Sequence, residues 1–521
     1  MAHNWYAAAV TYSQPHRIIS VVDWAADGSS GSLTDLLGWF APLPKEASTE
    51  VLTTRAPAKY LVHEWGLNDP TEGDRTFQYE NFDVLASPVG WHVVESSSDP
   101  TAPSRGTPLF KNTSTTWGNN VIAHENWASI WEWVTQHRPK GTIGVSRGAD
   151  GEESERLVFD FPYAPRATSP PETLKEAYKH INATVTQLFY TANLIHDLFY
   201  RYGFDEVSGN FQQYNFGRGG KENDVLITDA QEGSWFNSAQ FFSPPDGRNG
   251  RCQIFLWNFA NPYRDGVMEA GIIIHELAHG LSTRLTGGPS NSDCLSGNGG
   301  EGSGMGEGWG DFLATTVRSV KDLVADAKAA ENGVRESRDY PMAAWASSKA
   351  GGLRKHPYSL DKSVNPTTYK TLDNPLYWEA HAIGEVWAQM LWVVEHHLIR
   401  KHGVSDTLFP PKPLENGKIP LGDFYRESTA GKLIPKHGNT LAVQLVISGM
   451  KLQPCRPSFL NARDAIIQAD WHLTGGENYC EIWRGFASRG LGPDAHVQFS
   501  VPWWGKNLFR TEDFGVPKNC R

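Results

Sequence analysis

Apolar positions along the chain follow two different periods, and the change between them divides it. Residues 1–55 contain one short β-prone run, "HRIISVVDW", then a Gly/Ser-rich loop and the linker "PLPKEASTEVLTTRAPAK", a boundary signal. From about Tyr60 to Pro170 short β-prone pieces alternate with Asn, Gly, Pro and Thr, which predicts irregular β structure with long loops. Helical spacing appears over most of 171–204, with Pro at its start and Gly203 at its end. Strands return at 225–260 in "VLITDA" and "RCQIFLWNF". After Asp265 helical runs dominate, at 266–286, 307–320, 381–402 and 460–472. The pattern is a β-rich first half followed by a helix-rich second half, with no internal repeat.

Composition narrows the class. At 521 residues the chain exceeds one small core, and its 20 Trp residues suit large aromatic cores. A net charge of −11 argues against a nucleic-acid partner or an anionic membrane surface. No run of about 18 apolar residues exists to span a bilayer. The five cysteines lack CxxC spacing, so a cysteine metal site is not expected. Cys455 and Cys480 flank the C-terminal helical region and are a candidate pair closing a loop worth roughly 3 kcal/mol. Cys294 with Cys520 would be a second bond, although sequence alone leaves the connectivity open. Asn112 and Asn182 head glycosylation sequons. The N-terminal "MAHNWYAAAVTYSQ" shows no basic-then-apolar signal-peptide pattern.

One apolar stretch carries chemistry. "GIIIHELAHGLSTRL" (271–285) places two histidines and a glutamate in a run made otherwise largely of Ile, Leu, Ala and Gly. Desolvating ionisable groups is costly, so they are either hydrogen-bonded core residues or compensated by a metal. His275 and His279 lie one helical turn apart on one face, a spacing that ligates a single zinc ion. Glu276 flanks that position as an activator of water. Asp265 is the candidate N-cap, and "GGP" (287–289) the stop. A catalytic zinc needs a third protein ligand, and Glu307 in "GMGEGWGDFLATT" is the candidate. Asp311, four residues on, would sit on the same face and accept the far N–H of a ligand histidine. The competing reading is two acids in a first helical turn, favoured by the dipole.

"HELAHGLSTRLTGG" and "GMGEGWGDF" together resemble the fungalysin family of zinc metalloendopeptidases, relatives of thermolysin. The resemblance continues in order through "WGLNDPTEG" (65–73), "ASPVGWH" (86–92), "WGNN" (117–120), "QLFYTANLIHDLFY" (187–200), "SPPDGR" (243–248), "HPYSLDKSVNPTTY" (356–369), "HAIGEVWA" (381–388) and "CRPSFLNARDAIIQAD…ENYCEIWRGFASRGLG" (455–492). It covers roughly residues 56–492, and "NWYAAAVTYSQPHRIISVVDWAADGS" (4–29) is similar to the tail of the family's propeptide.

The resemblance implies an α+β, two-lobed thermolysin-like fold. Residues 56–286 would form a β-rich N-terminal lobe ending in the zinc helix, and 287–521 a helical C-terminal lobe. Residues 1–55 would be a propeptide remnant and linker, with maturation near 48–58 and the remnant acting as inhibitor. One zinc per chain is implied at His275, His279 and Glu307, with Glu276 as general base and acid. His381, opening "HAIGEVWA", is implied as the donor to the transition-state oxyanion. Arg354 is a candidate for the substrate carbonyl. An edge strand around Asn237, Ser238 and Ala239 is the candidate to pair with the substrate backbone, although "WFNSAQF" departs from the family's Asn-rich version. Tyr377 lies near His381 and is expected to be a packed aromatic. The expected partners are protein or peptide substrates of a secreted, monomeric enzyme. Calcium sites cannot be read, since no EF-hand-like loop is present. Two other functions compete: a latent or non-catalytic zinc-stabilised binding protein, disfavoured by the intact set of five residues, and a zinc aminopeptidase, for which no acidic amine anchor is recognisable.

Overall fold

A computed structural model describes residues 6–10, 18–23, 56–96, 109–148, 151, 153–169, 172–296, 300–331, 338–414, 416–427, 433–500 and 507–521. The expected maturation stretch falls outside them up to residue 55. Strands β1 (Tyr6–Val10) and β2 (Ile18–Asp23) pair antiparallel. The first half then follows the short-strand pattern: β3 (Ala56–Val62), β4 (Thr76–Tyr79), β5 (Val93–Ser96), β6 (Leu109–Asn112), β7 (Val121–Glu125), β8 (Thr142–Arg147) and β9 (Glu153–Phe159). Helices α1 (Glu172–Tyr178) and α2 (Ile181–Arg201) fill the predicted helical stretch. Strands β10 (Leu226–Ala230), β11 (Ala239–Phe242), β12 (Arg251–Ile254), β13 (Leu256–Trp257) and β14 (Arg264–Asp265) follow. The remainder is mostly helical: α3 (Ala270–Leu285), α4 (Glu301–Glu331), α5 (Ala344–Ser347), α6 (Ala380–His402), α7 (Gly438–Leu452), α8 (Phe459–Thr474) and α9 (Tyr479–Ala487). Two strand pairs sit among them, β15 (Tyr425–Glu427) with β16 (Leu433–Pro435), and β17 (His496–Ser500) with β18 (Asn507–Thr511). The fold is α+β.

Two four-stranded sheets organise the first half, in orders β4-β3-β9-β8 and β11-β12-β10-β7. In the second, β10 runs parallel to both neighbours, and every residue of "LITDA" is buried. A strand covered on both faces reads as a continuous rather than alternating apolar run. β11 joins antiparallel at the end of the order, so it is an edge strand. Helix α3 packs against α2, β11 and α4, and α4 packs against α6. One continuous apolar core runs through these elements, from Ala58 on β3 to Ala495. Among the described residues no helix is long and apolar enough to cross a membrane.

Several expectations shift on contact with tertiary structure. Asp265 caps a short 3-10 turn, accepting from Val267 N, and α3 starts only at Ala270 because Glu269 is extended. The Glu269 carboxylate is used elsewhere, accepting from Ala346 N at 2.7 Å. Helix α4 starts at Glu301, six residues before the predicted start, inside the Gly-rich stretch. Gly304, Gly308 and Gly310 serve close approach rather than a loop: a Cβ on Gly310 would stand 2.7 Å from His275 Nδ1. Helix α7 was not predicted, since "GNTLAVQLVISGMKL" is rich in β-branched residues and holds two glycines. Burial against α6 and α8 overrides that local preference.

The disulfides are Cys294–Cys455 and Cys480–Cys520, which corrects both expected pairings. Cys455 and Cys480 lie beyond opposite ends of the 16-residue α8. That helix is about 24 Å long, far beyond disulfide reach. Cys252 on β12 is a free, buried thiol.

Glu395 on α6 is fully buried; its Oε2 accepts from Thr316 Oγ1 at 3.0 Å, and Oε1 has no partner among the described residues. Burial pushes its pKa up to about 8, with the Thr316 bond pulling weakly the other way. A carboxyl raised in the folded state binds its proton more tightly there than in the unfolded chain. Its neutral form therefore favours folding fully below about pH 4.5, and that contribution is lost as pH rises towards 8. Glu395→Gln is expected to leave the melting temperature nearly unchanged at pH 5 and to raise it at pH 8. Equal shifts at both pH values in calorimetry would contradict this.

Candidate metal centre

The i, i+4 spacing on α3 works as expected: the rings of His275 and His279 stand edge to face, centroids 4.8 Å apart. Both imidazoles and Glu276 offer ligand atoms within 4.8 Å of one another. Glu307 comes in from α4. Its Oε2 lies 3.2 Å from His275 Nε2, 3.8 Å from His279 Nε2 and 3.4 Å from His381 Nε2 at the start of α6. Three helices thus aim nitrogen and oxygen donors at one small volume. A tetrahedral ion with bonds of about 2.0–2.1 Å sets its ligand atoms about 3.3 Å apart, so this donor set fits a zinc-like cation.

The far side of the site is held by a buried carboxylate. Asp311 is 0% exposed, and its Oδ1 accepts from His275 Nδ1 at 2.8 Å. Arg354 grips the same carboxylate through two nitrogens, Nε at 2.6 Å and Nη2 at 2.9 Å, and the Tyr358 hydroxyl donates to Oδ2. Bidentate, charge-assisted bonds of this kind are the strong ones. Burial would raise the Asp311 pKa, but Arg354 and His275 hold it well below the usual carboxylate range. Glu307 is likewise held low against burial, by His279 and His275. Burial lowers His279 to about 4. Burial also works against charge on His275, yet its bonds to Asp311 and Glu307 outweigh it and lift the ring to about 10. The carboxylates make this a site whose field favours positive charge.

Glu276 differs from its neighbours. It is 5% exposed, and its Oε2 is buried without a hydrogen-bond partner among the described residues. Burial pushes its pKa up to about 7, with His275 pulling it back down. His381 is more open, its side chain 56% exposed. Glu379 caps α6, accepting from the N–H groups of His381 and Ala382, and its Oε2 sits 3.1 Å from His381 Nδ1.

Ala239 opens β11, which packs against α3, and no described strand pairs with the other edge of β11. Asn237 precedes it with φ of 59°. Its amide is engaged with Asn258, donating to Oδ1 at 2.8 Å and accepting from the backbone N–H at 2.9 Å. Ser238 is half-buried between them. Tyr377 is a packed aromatic, 6% exposed, with Lys355 Nζ 4.7 Å above its ring. Sequence reasoning passed over Tyr358 and Glu379. The first is 47 residues from Asp311 and announces itself by no spacing. The second had a legible signal, an acid two residues before His381 at a helix start.

A family model described as fungalysin metallopeptidase (M36) matches residues 59–495, and the chain belongs to that family. It is 45% identical over 462 residues to the extracellular metalloproteinase mep of Aspergillus terreus, an alignment covering 88% of this chain and 61% of that protein. It is 45% identical to the extracellular metalloproteinase MEP of Neosartorya fischeri, covering 84% of this chain and 59% of that one. Extracellular metalloproteinase 10 of Coccidioides posadasii is 44% identical, with 89% and 62% covered. The chain thus spans about three-fifths of the length of these relatives.

The approach of α6 to α4 rests on Gly384, where a Cβ would lie 2.5 Å from Glu307 Cβ and 2.7 Å from Gly308 N. Gly384→Ala is expected to cost about 1–3 kcal/mol through overpacking. It would also move His381 away from Glu307. A melting temperature within a degree of the parent would show that the two helices part freely.

Proposed function

We propose that this chain is a secreted, zinc-dependent endopeptidase that hydrolyses peptide bonds of extracellular proteins. The observation that carries the reading is the unpartnered, buried Oε2 of Glu276 beside His275, His279 and Glu307. A buried carboxyl without a partner is costly, and such groups persist where they act. The relatives are named extracellular metalloproteinases, which supports the class and the compartment.

His275, His279 and Glu307 would hold one zinc ion per chain. When bound, the ion lowers the pKa of a coordinated water and polarises the scissile carbonyl. Glu276 takes a proton from the attacking water at its free carboxyl oxygen and returns it to the leaving amine. Burial raises its pKa above the usual carboxylate value, which suits it to accept a proton. His381 donates from Nε2 to the carbonyl oxygen as charge develops there, its ring oriented by Glu379 at Nδ1. Asp311 keeps His275 in the tautomer whose Nε2 faces Glu307. Arg354 presents the remaining nitrogen of its fork to a substrate carbonyl. The open edge of β11 from Ala239, with Asn237 just before it, pairs with the extended substrate backbone.

In this reading residues 56–286 and 287–521 are two lobes with α3 between them, and the enzyme acts as a monomer. Residues 1–55 are the propeptide remnant that restrains it until cleavage in the 48–58 linker. A cut beyond Ala56 would shorten β3, whose Ala58 and Tyr60 are buried, so the productive cut lies before it.

Glu276→Gln is expected to retain about one zinc per chain while hydrolysis of a casein-like substrate falls about 10²–10⁴-fold. Chelator should abolish the parent activity, and peptides with blocked N-termini should be cut as well as free ones. Undiminished turnover in Glu276→Gln would remove the assigned base. A requirement for a free amine would instead indicate an aminopeptidase.

A further inference from the structure

Helix α6 carries a row of polar residues that runs from the exposed His381 into an otherwise largely apolar interior. His381, Glu385 and Gln389 are spaced i, i+4, i+8 and so share one face. Glu385 is 1% exposed and Gln389 fully buried. Both hold the loop that follows Arg354. Glu385 Oε2 accepts from Lys355 N at 2.8 Å, and Oε1 accepts from His356 N at 3.1 Å. One turn further, Gln389 brackets Ser359, accepting from its N–H at 3.2 Å and donating to its carbonyl at 2.7 Å. Arg354 and Tyr358, the residues gripping Asp311, are the immediate neighbours of these clamped positions. Tyr358 is further tied by paired backbone bonds to Tyr340.

A structural filler would not require this arrangement. A carboxylate accepting two consecutive backbone N–H groups fixes where the preceding residue points, because it orients the peptide planes. The preceding residue here is Arg354. We propose that Glu385, aided by Gln389, is a positioning residue for the metal centre: it sets the Arg354 loop so that Arg354 and Tyr358 hold Asp311, and Asp311 holds His275. The same helix presents His381 one turn earlier, so α6 couples the open side of the site to its buried back. This role rests on the proposed metal site, and groups that orient metal ligands from behind typically change affinity 10–100-fold when altered.

The test uses the full chain and zinc alone, with affinity read by competition against a chromophoric chelator and folding checked by circular dichroism and melting. Glu385→Gln keeps the volume and removes one of the two acceptors; it is expected to weaken zinc binding about tenfold in folded protein. Arg354→Ala should weaken it comparably, and the double variant should be no weaker than Arg354→Ala alone. Gln389→Ala provides a second probe of the same loop, expected to shift affinity in the same direction. Zinc affinity within twofold of the parent in both Glu385→Gln and Gln389→Ala, or effects of Glu385→Gln and Arg354→Ala that multiply, would overturn the proposal. Failure of the unaltered chain to bind zinc would instead remove the reading beneath it.

Discussion

The ionised carboxylate of Asp311 is the constraint on which the site depends. Taking a carboxylate wholly out of water costs several kcal/mol unless hydrogen-bonded charge surrounds it. The return here comes from His275, Arg354 and Tyr358, which arrive from α3 and from the loop after α5. None of the three lies near Asp311 in sequence, so the chain must complete its tertiary structure before the charge is tolerable. Once it has, the geometry is stiff. Moving any donor leaves a buried charge exposed to a deficit.

That stiffness is passed to His275 and Glu307. His275 is held by Asp311 at one nitrogen, which leaves the other directed at Glu307. Glu307 is held by the tight passage of α6 across α4, where Gly308 and Gly384 meet without side chains. The glycines that make "GMGEGWG" look like a loop permit this approach. Their cost in helix propensity, about 1 kcal/mol each, is offset by packing.

Glu276 stands as the exception within this well-satisfied network. His275, Glu307 and Asp311 are paired with one another, while Glu276 keeps an oxygen without a partner among the described residues at a burial that would normally demand one. Natural structures break local rules at functional sites and compensate elsewhere. The dense bonding around Asp311 and the continuous apolar core from Ala58 to Ala495 supply that compensation.

Helical spacing in a single stretch was enough to reveal His275, Glu276 and His279, because four residues of α-helix put both rings on one face wherever the helix sits. The β-rich first half, the α+β class and the edge position expected near Ala239 were legible from apolar periodicity and family likeness. The disulfide partners, the start of α4 within the glycines, helix α7 and the roles of Tyr358, Glu385 and Gln389 were not. Each of these depends on which distant surfaces meet, and a one-dimensional pattern holds no record of that. Periodicity registers which face of an element seeks burial; only the packed fold decides what lies against it.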